Sequence, residues 1–159
     1  MLFGLQLPIV VDADLDGDPI RVIMDQPDGP TACLWALVDD WSPLMPGALP
    51  AGQRRYWEDR LADPDDQLDR RALRPLAFAL ARRVYGVAWW TAHRILQEAA
   101  EARLAYETWC VAHGFDGRGQ PAHRIVASAA AWAASTWSDE AQASSWTQRV
   151  SMPPPGVVA

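Results

Sequence analysis

The stretch that decides the fold is AWWTAHRILQEAAEARLAYETWCVAH, residues 88–113. Apolar or small residues recur along it every three or four positions, and charged residues fill the positions between them. The apolar stripe consists of Ala92, Ile95, Leu96, Ala99, Ala102, Tyr106, Trp109 and Cys110. This period predicts one amphipathic helix from Ala88 to His113, about 35–40 Å long, with Gly114 as its left-handed C-terminal residue. We expect this helix to be the spine of the protein.

Further helical patterns flank the spine. A helix is predicted over 75–86, because a proline suits its first turn and a glycine its end. Another helix is predicted from Pro121 to Trp137, where alanines alternate with bulky tryptophans. Ser138 is expected to cap a last short helix that reaches about Val150. The tail over 153–156 is expected to be extended polyproline or disordered.

The N-terminal region has a strand-like pattern instead. Two extended apolar runs, Leu5–Val11 and Ile20–Met24, lie on either side of the polar stretch Asp12–Asp18. This arrangement predicts a β-hairpin, with Pro8 confining the first strand to an edge position. A lone hairpin is marginal in water, so we expect it to pack on the rest of the chain.

Together these patterns predict a mainly α protein, a helical bundle with a short N-terminal β-hairpin packed on it. Its 159 residues suit one domain with a hydrophobic core that needs no disulfide or metal. The short helices are predicted at Thr31–Asp40 and Gln53–Ala62. The predicted organisation is a single domain over 1–152, made of a hairpin at 1–25, a turn-rich part at 26–72 and a helical core at 73–150, followed by a Pro-rich tail at 153–159.

The composition favours a cytoplasmic protein. Two cysteines, Cys33 and Cys110, are too few for a disulfide framework and fit a reducing compartment. The N-terminus lacks the basic flank and cleavage site of a secretory leader. The longest apolar run, Ile125–Ala134, is half the length that a membrane span needs. We therefore expect no membrane partner.

Charge is distributed unevenly along the chain. The net charge is −6, yet residues 1–69 carry fourteen acidic residues and four arginines, whereas residues 70–124 carry nine arginines and four acidic residues. The overall sign argues against non-specific nucleic-acid binding, which relies on a net basic surface. Five arginines form either a local patch that binds anions or a solvated helix face whose charge balances that of the acidic half. They are Arg70, Arg71, Arg74, Arg82 and Arg83.

Two groups of residues raise the question of a metal. Asp12–Gly17 matches the first half of a calcium loop, but Ile23 stands where that loop needs a bidentate glutamate. An acidic hairpin turn is therefore the preferred interpretation, and a calcium site is the alternative. Cys110-x-x-His113, with His123 and Cys33 elsewhere, offers zinc ligands but only one of the two short spacings of a structural site. A buried cysteine and a helix-end histidine are the preferred interpretation.

A catalytic signature is missing from the sequence. Neither cysteine and none of the serines lies in a strand-turn-helix elbow or another motif that would position and activate a nucleophile. The chain also lacks a phosphate-binding loop and a dinucleotide fingerprint. The sequence therefore predicts a protein that is not an enzyme and has no cofactor.

The nine tryptophans suggest a different activity. Trp109, Trp132 and Trp137 fit core stripes. Trp89 and Trp90 cannot both point the same way on a helix, and Trp146 lies in a polar segment, so at least one of these three should be partly exposed. An exposed indole rimmed by arginine is typical of interface hot spots, although packing under the tail is the alternative. The predicted protein-binding residues are Trp89, Trp90, Trp146, Arg82, Arg83 and Arg94.

Residues 73–137 also carry a resemblance. Its segments are Arg74–Leu80, Trp89–Arg94, Tyr106–Cys110 with Gly114–Asp116, and Pro121–Ile125. They resemble the helical region of tail assembly chaperones encoded by phages of GC-rich actinobacteria. The resemblance implies a non-enzymatic factor in the host cytoplasm that keeps the long helical tape-measure protein soluble until tail-tube subunits polymerise around it. It also allows this factor to be an oligomer. Recognition would be of the helix-in-groove kind, on Trp and Ala surfaces. The alternative is a structural virion protein, such as a neck, connector or minor capsid component.

Overall fold

The computed structural model describes residues 8–15, 18–38, 51–66 and 73–157. This part of the chain is mostly helical, with an antiparallel two-stranded hairpin packed against the helices, so the predicted fold class is confirmed. None of its helices is long and apolar enough to cross a bilayer. The elements are β1 Ile9–Leu15, β2 Asp18–Met24, α1 Gly29–Leu37, α2 Ala51–Ala62, α3 Arg74–Tyr85, α4 Trp89–Glu101, α5 Arg103–Ala112, α6 Ala122–Ser135 and α7 Glu140–Ser151.

The two strands of the hairpin extend further toward the turn than predicted. Its register pairs Ile9 with Met24 and Leu15 with Asp18, so most of the stretch interpreted as a polar turn belongs to the strands. The prediction was wrong because an acidic residue fits a strand when it lies on the outer face. Asp12 does so, whereas the side chains of alternate residues such as Val11 are buried. The first part of the predicted strand, residues 5–7, lies outside the described residues.

A local signal sets the start of α1, which lies two residues before the predicted Thr31, and another sets the predicted end of α3. Asp28 caps α1 by accepting a hydrogen bond from the Thr31 backbone N–H at 3.0 Å. Gly86 ends α3 with a φ of 74°, a left-handed conformation that favours glycine. The signal at Gly86 is local, which explains why the sequence predicts the end of α3.

The core lies where α1, α3, α4 and α6 meet, with the inner face of the hairpin against α3. The Tyr85 hydroxyl donates a buried hydrogen bond of 2.7 Å to the Ala32 carbonyl and so joins α3 to α1. Gly29 lies so close to the start of α6 that a Cβ built on it would be 1.9 Å from the Gln120 carbonyl oxygen. The largest fully buried side chains are Tyr85, Met24, Leu76, Leu80, Val22 and Val84.

The predicted spine helix is not continuous. It breaks at Ala102, whose φ of −104° and ψ of 37° are not helical, and it therefore forms α4 and α5. The two halves share one partner, α6, but they are buried to different extents. Helix α4 contacts α1, α6 and α7, whereas α5 lies against α6 and has no buried residue. The apolar period continues through the break, so it could not be predicted from the residue pattern.

Two predictions near the C-terminus also need correction. The cap of α7 is Asp139, which accepts a hydrogen bond from the Gln142 N–H at 2.9 Å, and not Ser138. The tail is neither simply extended nor disordered over 153–156. It forms a turn in which the Val157 N–H donates to the Pro154 carbonyl at 3.1 Å, with Gly156 at a φ of 79°.

Candidate protein-binding surface

Most of the predicted binding residues come together in one groove between β1, α3 and the start of α4. We call it the α3–α4 groove, and its volume is about 460 Å³. Four of the six predicted residues line it, namely Trp89, Trp90, Arg82 and Arg83. The other lining residues are Val11, Asp12, Pro75, Phe78, Ala79 and Ala88.

The two adjacent tryptophans point in different directions, as predicted. Trp89 is only 4% exposed and packs edge-on against Tyr85, with ring centroids 5.6 Å apart, so it belongs mainly to the core. Trp90 is half-buried and meets Phe78 edge-on at 5.7 Å. The aromatic surface that the groove offers to a partner is therefore formed by Trp90 and Phe78.

Positive charge lines one side of this groove. Arg82 and Arg83 are exposed in the last turn of α3, where the helix dipole favours cations. Within the described part of the chain, neither guanidinium lies in an ion pair. Asp12 also lines the groove, but Arg21 pairs with it at 2.6 Å, and this hydrogen bond holds the pKa of the Asp12 carboxyl below its usual value. The arginines thus remain available to an anionic group.

Sequence reasoning missed Phe78 and Asp12. Phe78 is four residues before Arg82, so the two lie on the same side of α3, and this spacing could have identified it. Asp12 could not be identified in this way, because it was assigned to a turn and the hairpin's position on α3 is a tertiary property.

Trp146 lies on the other side of α4. It lines a second groove between α6 and α7, here called the α6–α7 groove, of about 560 Å³. Its ring lies 5.1 Å from that of Trp137, and its indole N–H donates to Glu98 Oε2 at 2.7 Å. Trp132 is buried as predicted, and Trp109 is half-buried and packs against the core. Trp137 is half-buried and lines the α6–α7 groove, so the core position predicted for it was wrong.

Arg94 has a role inside the molecule that the sequence did not predict. Its Nη1 donates to the backbone carbonyls of Arg149, Val150 and Met152 at the C-terminal end of α7. These carbonyls have no partner within the helix, and a cation there also interacts favourably with the dipole. Arg94 therefore caps α7, and it does not line the α3–α4 groove.

The groups considered for metal binding have other contacts. Cys33 is buried in α1, and burial raises the pKa of its thiol to about 12, which disfavours the thiolate that binds zinc. His113 Nδ1 lies 2.8 Å from the Trp109 carbonyl, and its ring stacks on the Trp109 indole. Among the described residues, no three His, Cys, Asp or Glu side chains are grouped as metal ligands would be. Asp16, part of the calcium-like motif, lies outside them.

Comparison with protein-family models, with curated proteins and with solved structures finds no match to this chain.

Proposed function

We propose that this protein is a non-enzymatic tail assembly chaperone of a tailed phage, which binds a helical segment of the tape-measure protein in the α3–α4 groove. The observation that supports this proposal best is the composition of the groove. It combines a half-buried indole, a phenyl ring and two exposed arginines that have no ion-pair partner among the described residues.

The groove has the chemistry that an amphipathic helix requires. Phe78 and Trp90 offer rigid aromatic surface, which is buried at little cost in side-chain entropy. Ala79 and Ala88 line the same groove and are small enough for a helix backbone to come close. Arg82 and Arg83 can then pair with acidic residues at the edge of the partner's apolar stripe. The expected ligand is a helix with an apolar stripe flanked by Asp or Glu.

The charge of the whole chain suits a chaperone. Its net charge is −6, although the groove is edged with arginine. A partner held in the groove would therefore be attached to a particle of high net charge, which resists association with other copies. The tape-measure protein would stay dispersed until tail-tube subunits replace the chaperone.

Co-expression tests the proposal directly. A long helical gene just downstream, preceded by an overlapping reading frame, would be the candidate tape measure. We expect its product to be insoluble alone and soluble with this protein. Replacing both groove arginines, R82Q with R83Q, should lower the affinity by about tenfold because two charge-assisted contacts are lost. The matched control is R118Q with R124Q, which removes two exposed arginines outside the groove.

Two outcomes would count against the chaperone. One is a candidate partner that stays insoluble in the presence of this protein. The other is the recovery of this protein as a stoichiometric component of purified particles, which would favour the structural virion role instead.

A further inference from the structure

Helix α7 is attached to the protein in an unusual way. Of its twelve residues only Val150 is buried, whereas α6 buries six, among them Val126, Ala129 and Trp132. Burial of apolar surface is the main source of local stability, and segments with little of it open at low free-energy cost. Apart from Val150 and the half-buried Trp146, which packs against the core, α7 is held in place by polar contacts.

Within the part of the chain that the structure describes, the polar attachments of α7 come from one side of α4. Trp90 Nε1 donates to the Ser151 carbonyl at 3.0 Å, next to the carbonyls that Arg94 caps. One turn further along α4, Glu98 accepts from the Trp146 indole and pairs with Arg149 at 2.6 Å. Three α4 side chains thus hold the last two turns of α7.

Trp90 takes part in two sites at once. Its ring faces Phe78 in the α3–α4 groove, and its N–H holds the end of α7. The indole is rigid, so a ligand that enters beside Phe78 and turns the ring also moves the N–H away from the Ser151 carbonyl. The geometry thus links the contents of the groove to the attachment of α7.

We propose that α7 is a releasable strap, fastened by Trp90 and Arg94, that detaches when the α3–α4 groove is filled. Its release uncovers Trp132, Ala133 and Trp137, which line the α6–α7 groove beneath it. The link to groove filling rests on the proposed function, because it requires a ligand in that groove. The existence of the strap does not depend on the proposed function, because the attachment of α7 is a property of the protein alone.

Hydrogen exchange on the full-length protein tests the strap. We expect the amides of residues 141–152 to exchange at least about tenfold faster than the central amides of α6. R94M keeps the packing of the side-chain stem but removes the guanidinium, and it should raise exchange in α7 by about another tenfold because charged hydrogen bonds are lost. W90F removes one neutral hydrogen bond and should raise exchange several-fold.

The controls separate local release from general destabilisation. R118M changes an exposed arginine that lies outside α7 and outside both grooves, and it should leave exchange in α7 unchanged. In R94M, exchange in α3 and α6 should also stay as in the unmodified protein. A uniform increase over all helices would overturn the strap, as would exchange in unmodified α7 as slow as that in α6.

The link to the groove is tested with the tape-measure segment recovered from co-expression. Binding of that segment should raise exchange in α7 and lower it in α3. Binding without any change in α7 would overturn the link while the proposed function stands. Failure of every segment to bind would count against the proposed function, and the R94M and W90F results would still decide whether the strap exists.

Discussion

At the scale of single residues, the contact between Gly29 and the start of α6 leaves no space for a side chain. The helix α1 begins where the chain passes within van der Waals distance of Gln120 and Ala122, and the space for a side chain is taken by backbone atoms. Backbone atoms cannot rotate away as a flexible side chain can. Glycine at position 29 is therefore required by packing. The sequence alone does not show this requirement, since it shows only that this residue precedes Pro30.

Gly29→Ala should lower the free energy of unfolding by about 1–3 kcal/mol, because α1 and α6 must move apart to admit the methyl group. Gly52→Ala is the matched control. Its Cβ would meet no atom within 4 Å, and it lies in α2, where alanine should stabilise the helix by about 0.5–1 kcal/mol. Urea unfolding of both variants measures the difference. Equal midpoints would show that the close approach does not exist.

The Cys33 thiol should make stability depend on pH in the alkaline range. Burial raises its pKa to about 12 in the folded protein, from 9.0 in the unfolded chain. The unfolded state therefore loses this proton first, so stability is fully present below pH 9 and falls as the pH rises toward 12. The slope contributed by one such group is at most about 1.4 kcal/mol per pH unit.

Chemical unfolding at several pH values from 8 to about 11 measures this effect. Cys33→Ala should have a flatter dependence on pH than the unmodified protein, since it lacks the titrating group. Parallel curves for the two proteins would contradict the buried thiol.

At the scale of elements, prediction succeeded where the signal is local. Gly86 identified the end of α3 because a left-handed residue is needed there whatever the rest of the fold does. The break at Ala102 was missed because the apolar period runs through it, and the break depends on how deeply each half packs in the folded protein. The start of the hairpin turn was also missed because it depends on tertiary structure. Aspartate is typical of turns, and the outward position of Asp12 in β1 cannot be known from the sequence.

The cap of α7 offers a test of one corrected boundary. Asp139→Ala should cost about 1 kcal/mol, because the side chain satisfies the Gln142 N–H and its charge is favourable at the helix N-terminus. Ser138→Ala should have a smaller effect, since its hydroxyl bonds no helix N–H among the described contacts. Because α7 can open on its own, the measurement should be hydrogen exchange in α7. A larger effect of Ser138→Ala would restore the original prediction.

At the scale of the whole molecule, α4 separates two aromatic grooves. The sequence predicted one surface of six residues. The structure places Trp90, Arg82 and Arg83 along one groove, buries most of Trp89, and uses Arg94 and Trp146 to hold α7. Composition identified the residue types of an interface, but only tertiary packing decides which indole and which guanidinium remain free.

The central claim is that a helical partner occupies the α3–α4 groove. Side-chain indole N–H resonances of the labelled protein test it most directly, because each tryptophan reports from its own position. Titration with the tape-measure segment should shift the Trp90 resonance. It should leave unchanged the resonance of Trp109, which lies in α5 and stacks on His113. A partner that binds and shifts Trp109 but not Trp90 would contradict the claim.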